Sequence, residues 1–350
     1  MLAQALAALA AGALGALVFS AAHLPVPWLL GSIAGCALAA MLGARVRTPR
    51  WLRDPVLAVL GLMIGSTLHR ADPGFYARWP LTLAAVALYV IVVTATLYWF
   101  LRRFAGFDPV TAYFSAAPGG FMAMTVIGGA YGGQTRSIVL AHSLRLVLVV
   151  FTLVTAYHVA LGAAPPRWVP LGALGMRDLA LYALLGAGGW WLARLARLPA
   201  APLLGPMIAM AAASLAGISR APLPSAPLLA AELVLGAGIG AQFSGIGLRE
   251  LLRGGLIALA STVYMLALSL AFAWALAPLT GIAFPALFLA LSPGGMSGVS
   301  LVALALGVEP AFVTFHNLFR VILILLAGPL IFRWTRRGVS NRRRRQRNPD

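Results

Sequence analysis

The residues with the clearest potential for chemistry form a Pro-Gly-Gly motif that occurs twice, each time inside a long apolar stretch. Proline removes a backbone N–H group and glycine favours the unfolded backbone, so each motif should break a helix. A break leaves N–H groups on one side and C=O groups on the other without helical partners, and these can hold an anion and a cation respectively. The two copies are Pro118, Gly119 and Gly120, and Pro293, Gly294 and Gly295.

Two arginines follow the motifs at an equal distance. Arg145 follows the proline of the first motif at the same spacing as Arg320 follows that of the second, and both lie among apolar neighbours. An arginine inside a bilayer costs at least about 2.5 kcal/mol, so it needs a partner and marks a candidate binding site. The alternative is that each lies near a helix end and extends its guanidinium group to the lipid headgroups. The equal spacing in two places favours binding.

Other polar residues in apolar sequence complete the candidate site. Glu232 is a carboxylate that could bind a coupling ion or proton, although a counter-charge for one of the arginines is the slightly favoured interpretation. Thr125 and Ser300 follow the two motifs at equal spacing and could contact a solute, or bond back to their own helices. His316 and Asn317 lie about one turn before the second arginine and should share its helix face in part.

The elements that must position these residues are membrane helices. The chain has 350 residues, of which 61% are hydrophobic and 10% charged, against about 25% charged in a typical soluble domain. Apolar runs of about 20 residues, the length that crosses a bilayer, recur throughout and predict an all-α polytopic membrane protein with 10–12 transmembrane segments. The first run is interpreted as a membrane helix rather than a cleaved leader. The twelve runs are 2–22, 25–43, 55–69, 79–101, 109–131, 137–160, 178–193, 201–217, 226–246, 254–277, 282–307 and 311–332.

The net charge of +18 comes from 26 arginines, which cluster between the apolar runs and in the C-terminal tail. This pattern is typical of cytoplasmic loops, so we expect the lipid bilayer as partner and no direct nucleic-acid binding. A single cysteine, Cys36, excludes an intramolecular disulfide and a cysteine-based metal cluster. The five histidines have no metal-ligand spacing, and the common catalytic motifs are absent. The sequence therefore predicts neither an enzyme nor a cofactor.

The two halves of the chain resemble one another. "LPVPWLLGSIAG" at 24–35 matches "LPAAPLLGPMIA" at 198–209, and "GLMIG" at 61–65 matches "GAGIG" at 236–240. The Pro-Gly-Gly motif and its arginine then recur in the same order. Such a duplication is typical of secondary transporters, whose site lies where the broken helices of two repeats meet near mid-bilayer. Arginine placement favours inverted repeats, with 282–307 or a short segment not crossing. The expected division is 1–165 for repeat 1, 166–177 for a linker, 178–335 for repeat 2 and 336–350 for a cytoplasmic tail.

A family resemblance extends over nearly the whole chain. "PWLLGSIAG", "APGGFMAM" and "SPGGMSGVSLVALALGVEPAFVTFHNLFRVILI" resemble the Gram-negative AbrB duplication family of inner-membrane proteins, which shares only its name with the small DNA-binding AbrB-type regulators. That family is distantly similar to the cation/proton antiporter and anion transporter group. The resemblance implies a transporter-like fold with broken helices. The family carries two labels, regulator of gene expression and ammonia monooxygenase, and the scattered histidines argue against the second.

Two functions of different classes follow. The leading hypothesis is a multi-pass protein of the bacterial inner membrane that transports a small organic anion, with H⁺ or Na⁺ as a coupling ion. Its motivation is two arginines and two half-helix N-termini at one place. The alternative is a membrane sensor that binds a solute without moving it and so affects gene expression indirectly. The sequence leaves the solute, the direction of transport and the oligomeric state open.

Overall fold

A computed structural model describes residues 1–68, 73–161, 175–218 and 226–326. Within these ranges the chain consists of helices and the turns that join them, which confirms the all-α class. The helices are α1 (Leu2–Ala21), α2 (Pro27–Met41), α3 (Arg50–Gly65), α4 (Pro73–Tyr76), α5 (Trp79–Arg103), α6 (Pro109–Ala116), α7 (Phe121–Ala130), α8 (Thr135–Leu161), α9 (Met176–Leu195), α10 (Ala201–Leu215), α11 (Ala226–Gly240), α12 (Leu248–Thr280), α13 (Phe284–Leu291), α14 (Met296–Ala305) and α15 (Pro310–Leu326).

The lengths and composition of these helices fit a membrane protein. In the part of the chain that the structure describes, five helices are long and apolar enough to cross a bilayer, and they include α1, α5, α8, α11 and α12. Five further apolar helices of 10–17 residues are shorter than a full crossing. Large apolar side chains on the outer surface remain exposed, as on Trp99 and Trp274, and a lipid environment would cover them.

Glycines let helices of the two halves pack closely against each other. Gly61 and Gly65 of α3 meet the backbone of α10, and Gly236 and Gly240 of α11 meet the backbone of α2. A Cβ atom at Gly240 would lie 2.5 Å from the carbonyl oxygen of Ile33. The halves are therefore interwoven, with one helix of each half packed into the other, and do not form two separate units.

The helix hairpins within each half are also packed through glycine. Gly15 of α1 lies against Gly31 of α2, and at the matching place in the second half Gly189 of α9 lies against Gly205 of α10. A Cβ atom at Gly189 would lie 2.6 Å from the Gly205 carbonyl oxygen, whereas one at the neighbouring Gly188 would meet nothing within 4 Å. The close approach of α9 and α10 thus depends on Gly189 and not on Gly188.

We expect Gly189→Ala to destabilise the protein by about 1–3 kcal/mol, because backbone must move to accept the methyl group. Gly188→Ala on the same helix is the matched control, and it should be neutral or slightly stabilising since alanine has the better helix propensity. Thermal unfolding of the two purified variants in detergent measures the difference. Equal melting temperatures would contradict this account of the α9–α10 packing.

The first broken segment, residues 109–130, folds back on itself. Asp108 caps α6 by accepting hydrogen bonds from the N–H groups of Val110 and Thr111. The N–H of Gln134, just after α7, donates to Thr111 Oγ1 at 2.8 Å, so both ends of the segment lie side by side. With 8 residues in α6 and 10 in α7, each arm extends about 12–15 Å, roughly half the hydrocarbon thickness.

The second broken segment, residues 284–305, also folds back on itself, and it does so at the opposite end of the bundle. Gly281, before α13, lies against the Arg78 side chain, and Phe312, after α14, packs against Trp79 with ring centroids 5.8 Å apart. Both ends of this segment therefore meet the start of α5. Residues 109–130 and 284–305 are therefore both helix hairpins whose two ends lie close together.

Two expected regions cannot be compared with the structure. Most of the linker at 166–177 and the whole Arg-rich tail at 336–350 lie outside the described residues.

Candidate functional site

Each Pro-Gly-Gly break packs against a helix of the other half of the chain. Gly119 of the first break lies against Ile324 of α15, where an added Cβ atom would come within 3.0 Å of the Ile324 side chain. Gly294 of the second break lies against Val149 of α8, where an added Cβ atom would lie 2.8 Å from the Val149 side chain. Val149 and Ile324 each lie one helical turn after a buried arginine, so each break touches the helix that carries the other half's arginine.

Arg320 holds the carbonyl end of the second break. Its side chain is 1% exposed, and its NH1 group donates to the carbonyl oxygens of Leu291 and Ser292 at 3.1 and 2.9 Å. Its NH2 group donates to Asn317 Oδ1, one turn earlier on α15. The positive charge thus lies at the C-terminal end of α13, where the helix dipole is negative.

Arg145 takes the corresponding place at the first break. It is 4% exposed, its NH1 group lies 3.5 Å from the Ala117 carbonyl oxygen, and its NH2 group donates to His142 Nδ1. His142 Nε2 lies 2.8 Å from the carbonyl oxygen of Phe114 in α6. His142 and Asn317 occupy matching positions in the two halves, which therefore use a histidine and an amide for the same task of orienting an arginine.

The amide side of each break has no side-chain cap. The helices α7 and α14 start at Phe121 and Met296, directly after Gly120 and Gly295, and neither has a side-chain hydrogen bond to its N-terminus. The first N–H groups of a helix have no helical acceptor, and the dipole makes this end positive. Each break therefore has its carbonyl end contacted by an arginine, whereas no side chain caps its amide end.

The site carries positive charge that no acidic side chain balances in the described ranges. The two ion pairs found there, Arg53–Asp54 and Arg136–Glu250, involve neither buried arginine. Arg145 and Arg320 carry like charges and lie close enough to repel one another electrostatically. The Nε atoms of both arginines are buried without a hydrogen-bond partner. This arrangement is suited to binding an anion.

The structure separates Glu232 from the two arginines. Glu232 is 5% exposed on α11, its backbone carbonyl oxygen accepts a hydrogen bond from Ser32 Oγ at 3.2 Å, and no ion pair joins its carboxylate to an arginine in the described ranges. The interpretation of Glu232 as a counter-charge for Arg145 or Arg320 therefore does not agree with this conformation. A buried carboxylate without a cationic partner fits the other interpretation, a coupling-ion or proton site.

Of the four remaining predicted residues, two make hydrogen bonds away from the buried arginines. His316 bonds to the Phe312 carbonyl oxygen and lies 2.7 Å from Thr82 Oγ1, so it joins α15 to α5 as a satisfied core histidine. Ser300 Oγ lies 2.8 Å from Thr314 Oγ1, which ties α14 to α15. Thr125 Oγ1 is buried without a hydrogen-bond partner. Asn317 is the one of these four that contacts a buried arginine.

Sequence reasoning missed three residues of the site. His142 was not assigned to the site, although its spacing of three residues from Arg145 predicts that both side chains share one helix face. Tyr89 and Ser269 carried no signal beyond a hydroxyl in an apolar run. The structure joins them, since Ser269 Oγ lies 3.0 Å from the Tyr89 hydroxyl and 3.3 Å from the Leu291 carbonyl oxygen. In the described residues, no group of three or more His, Cys, Asp and Glu side chains could hold a metal ion.

Comparison with known proteins gives one family and two relatives. Residues 28–336 match a family model described as "Transition state regulatory protein AbrB". A protein of Escherichia coli (strain K12) named "Putative regulator AbrB" is 29% identical over 323 residues, which cover 90% of this chain and 92% of that protein. A protein of Bacillus subtilis (strain 168) named "Uncharacterized protein YhjN" is 24% identical over 351 residues, covering 93% of this chain and 91% of its own length.

Proposed function

The chain belongs to the AbrB family, and from this membership and the charge of its site we propose that it is a secondary transporter of a small organic anion. One observation carries the proposal. Two buried guanidinium groups, without an acidic partner in the described ranges, lie at the carbonyl ends of two helix breaks whose amide ends no side chain caps. Buried charge needs compensation, and an anion that binds between these groups supplies it.

The arrangement of the helices supports movement of a solute as well as binding. We infer ten crossings and two re-entrant hairpins, 109–130 and 284–305, that approach the site from opposite membrane faces. Matching backbone features support two structural repeats: Val26 and Ala200, at equivalent places in the two halves, both have left-handed backbone at φ 44° and 49°. In transporters with such repeats, alternating access moves one part of the bundle around a central site.

The proposed location is the bacterial inner membrane, with both chain ends in the cytoplasm. Arginines cluster at the turn before α3, at the end of α5 and at the start of α12, and the contact of Ser244 with Val46 and the Arg136–Glu250 pair bring these regions to one end of the bundle. The bias of arginine to cytoplasmic loops assigns that end to the inside. Glu232 is the proposed coupling-ion residue, for H⁺ or Na⁺. No enzymatic activity and no cofactor are proposed.

A sensor or regulator is the second candidate. It is favoured by the name of the E. coli relative, which describes that protein as a regulator. A sensor would use the same anion site, and the two candidates differ in whether the bound solute leaves on the other side. Direct DNA reading is not proposed, because a helix that reads the major groove must be soluble and accessible.

Purified full-length protein separates the two candidates. Acetate, hexanoate, succinate, sulfate and phosphate are tested for thermal stabilisation in detergent and then for uptake into liposomes under imposed proton and sodium gradients. We expect at least one carboxylate to stabilise the protein and to show saturable, gradient-dependent uptake. The Arg145→Gln/Arg320→Gln double variant is the control and should give no uptake. Stabilisation without uptake would establish the sensor, and the absence of stabilisation by every anion would contradict both.

A further inference from the structure

A cavity of about 490 Å³ leads from the surface of the bundle to Arg145. On α8 it is lined by Arg136, Ser137, Leu140, Ala141 and Arg145, which form one stripe along the helix. The first and last of these are separated by a distance of about 13 Å along the helix axis. The cavity therefore spans the depth from the exposed start of α8 to the first break.

The chemistry of the cavity changes along its length. Its walls are mostly apolar and include Leu97 and Leu101 of α5 and Ile257 of α12. The hydroxyl groups of Ser261 and Thr262, which also line it, donate back to carbonyl oxygens of their own helix. Its inner end has the Arg145 guanidinium group, with its buried and unpartnered Nε atom, and the hydroxyl of Ser115, which is also buried without a partner. A cavity with apolar walls and a cationic inner end matches a molecule that has an apolar body and one anionic end.

We propose that this cavity is both the binding place and the access path of an organic anion with an apolar body, whose carboxylate lies at Arg145 and Ser115. The proposal rests on the anion function above and narrows its substrate class. Inorganic anions and solutes with many hydroxyl groups are disfavoured, because the apolar walls would leave their polar atoms without hydrogen bonds.

The mouth of the cavity is closed on one side by an ion pair. Arg136 NH1 and Glu250 Oε1 are 3.0 Å apart and join α8 to α12, with the Arg136 side chain 86% exposed. An exposed pair of this kind is weak and opens readily. When it is open, Arg136 and Glu250 are both still at the mouth, and the freed Arg136 guanidinium group can contact an anion that enters.

Cysteine labelling tests the path directly. The one native cysteine, Cys36, is 0% exposed, so Cys36→Ser gives a background without reactive thiols. In that background Ser137→Cys probes the mouth, Ser261→Cys the middle and Ser115→Cys the inner end. The methanethiosulfonate reagents carry a sulfonate or a trimethylammonium group. All rates are divided by the rate of the same reagent with a free thiol in solution. After this correction we expect the anionic reagent to label the middle and inner cysteines at least about tenfold faster than the cationic one, because of Arg145.

Two further measurements test the occupant and the route. Hexanoate should slow labelling of Ser261→Cys, and sulfate at equal concentration should not. Ala258→Trp fills the cavity and should reduce labelling of Ser115→Cys at least about tenfold while Ser137→Cys still reacts. Ala260→Trp is the matched control, because Ala260 lies on the exposed side of α12, and it should leave all rates unchanged.

The outcomes separate this proposal from the proposed function. Equal rates for the two reagents, no protection by hexanoate, or equal effects of the two tryptophans would overturn the path and its substrate class. Carboxylate uptake would then still show a transporter whose route lies elsewhere. If labelling and protection are as expected but liposomes show no uptake, the cavity is a binding site and the proposed transport function is wrong.

Discussion

Replacing Arg145 or Arg320 by lysine should reduce solute flux by at least about tenfold, the factor that corresponds to about 1.4 kcal/mol, while the protein still folds. Arg320 contacts two carbonyl oxygens through NH1 and an amide oxygen through NH2, with Nε left over. A lysine ammonium keeps the positive charge at the C-terminal end of α13. It has no planar fork that can hold the carbonyl oxygens and bind an anion simultaneously.

Glutamine at either position should abolish flux and leave membrane insertion intact, since a neutral side chain lowers the insertion cost. Arg102→Lys is the matched control, because Arg102 NH1 also donates to a backbone carbonyl, that of Phe107 at 2.7 Å, but at an exposed position. Flux in liposomes and thermal unfolding are measured for each variant. Wild-type flux in both lysine variants would show that the arginines only cap the broken helices.

The sequence indicated the two breaks and the two buried arginines because these features use unusual residues. Proline, glycine and arginine are costly in apolar helices, so their recurrence at matching places in the two halves carried a strong signal. The structure packs Gly119 against α15 and Gly294 against α8, and it places a buried arginine beside each break. The all-α class followed from composition alone, and the twelve apolar runs correspond to helices or helix pairs in the structure.

The rest depended on tertiary contacts that no local pattern encodes. An apolar run broken in the middle can cross a membrane or fold back, and only contacts such as Gln134 with Thr111 distinguish the two. The exchange of α3 and α11 between halves rests on glycine contacts between residues far apart in sequence. The sequence analysis favoured pairing Glu232 with an arginine because a buried charge needs compensation. In the structure the two arginines instead donate hydrogen bonds to backbone carbonyl oxygens and to a histidine or an amide side chain.

The two breaks share the sequence Pro-Gly-Gly, but alanine at the last glycine should reduce stability and flux only in the second break. Gly295 has φ 78° and ψ 143°, near a region that essentially only glycine adopts, and an added Cβ atom would lie 2.7 Å from a Leu146 methyl group. Gly120, its counterpart in the first half, has φ −66° and ψ 128°, and a Cβ atom there meets nothing within 4 Å.

Gly295→Ala should therefore cost about 1–3 kcal/mol of stability and most of the flux, because the strain falls on the residue that aims the N-terminus of α14. Gly120→Ala should keep both, since alanine adopts the observed backbone without strain. Melting temperature and uptake of the same carboxylate are compared for the pair in parallel. If Gly120→Ala instead loses flux at normal stability, the first break must visit a left-handed backbone during transport. The backbone difference between Gly120 and Gly295 would then be a property of this one conformation in the transport cycle and not of every conformation.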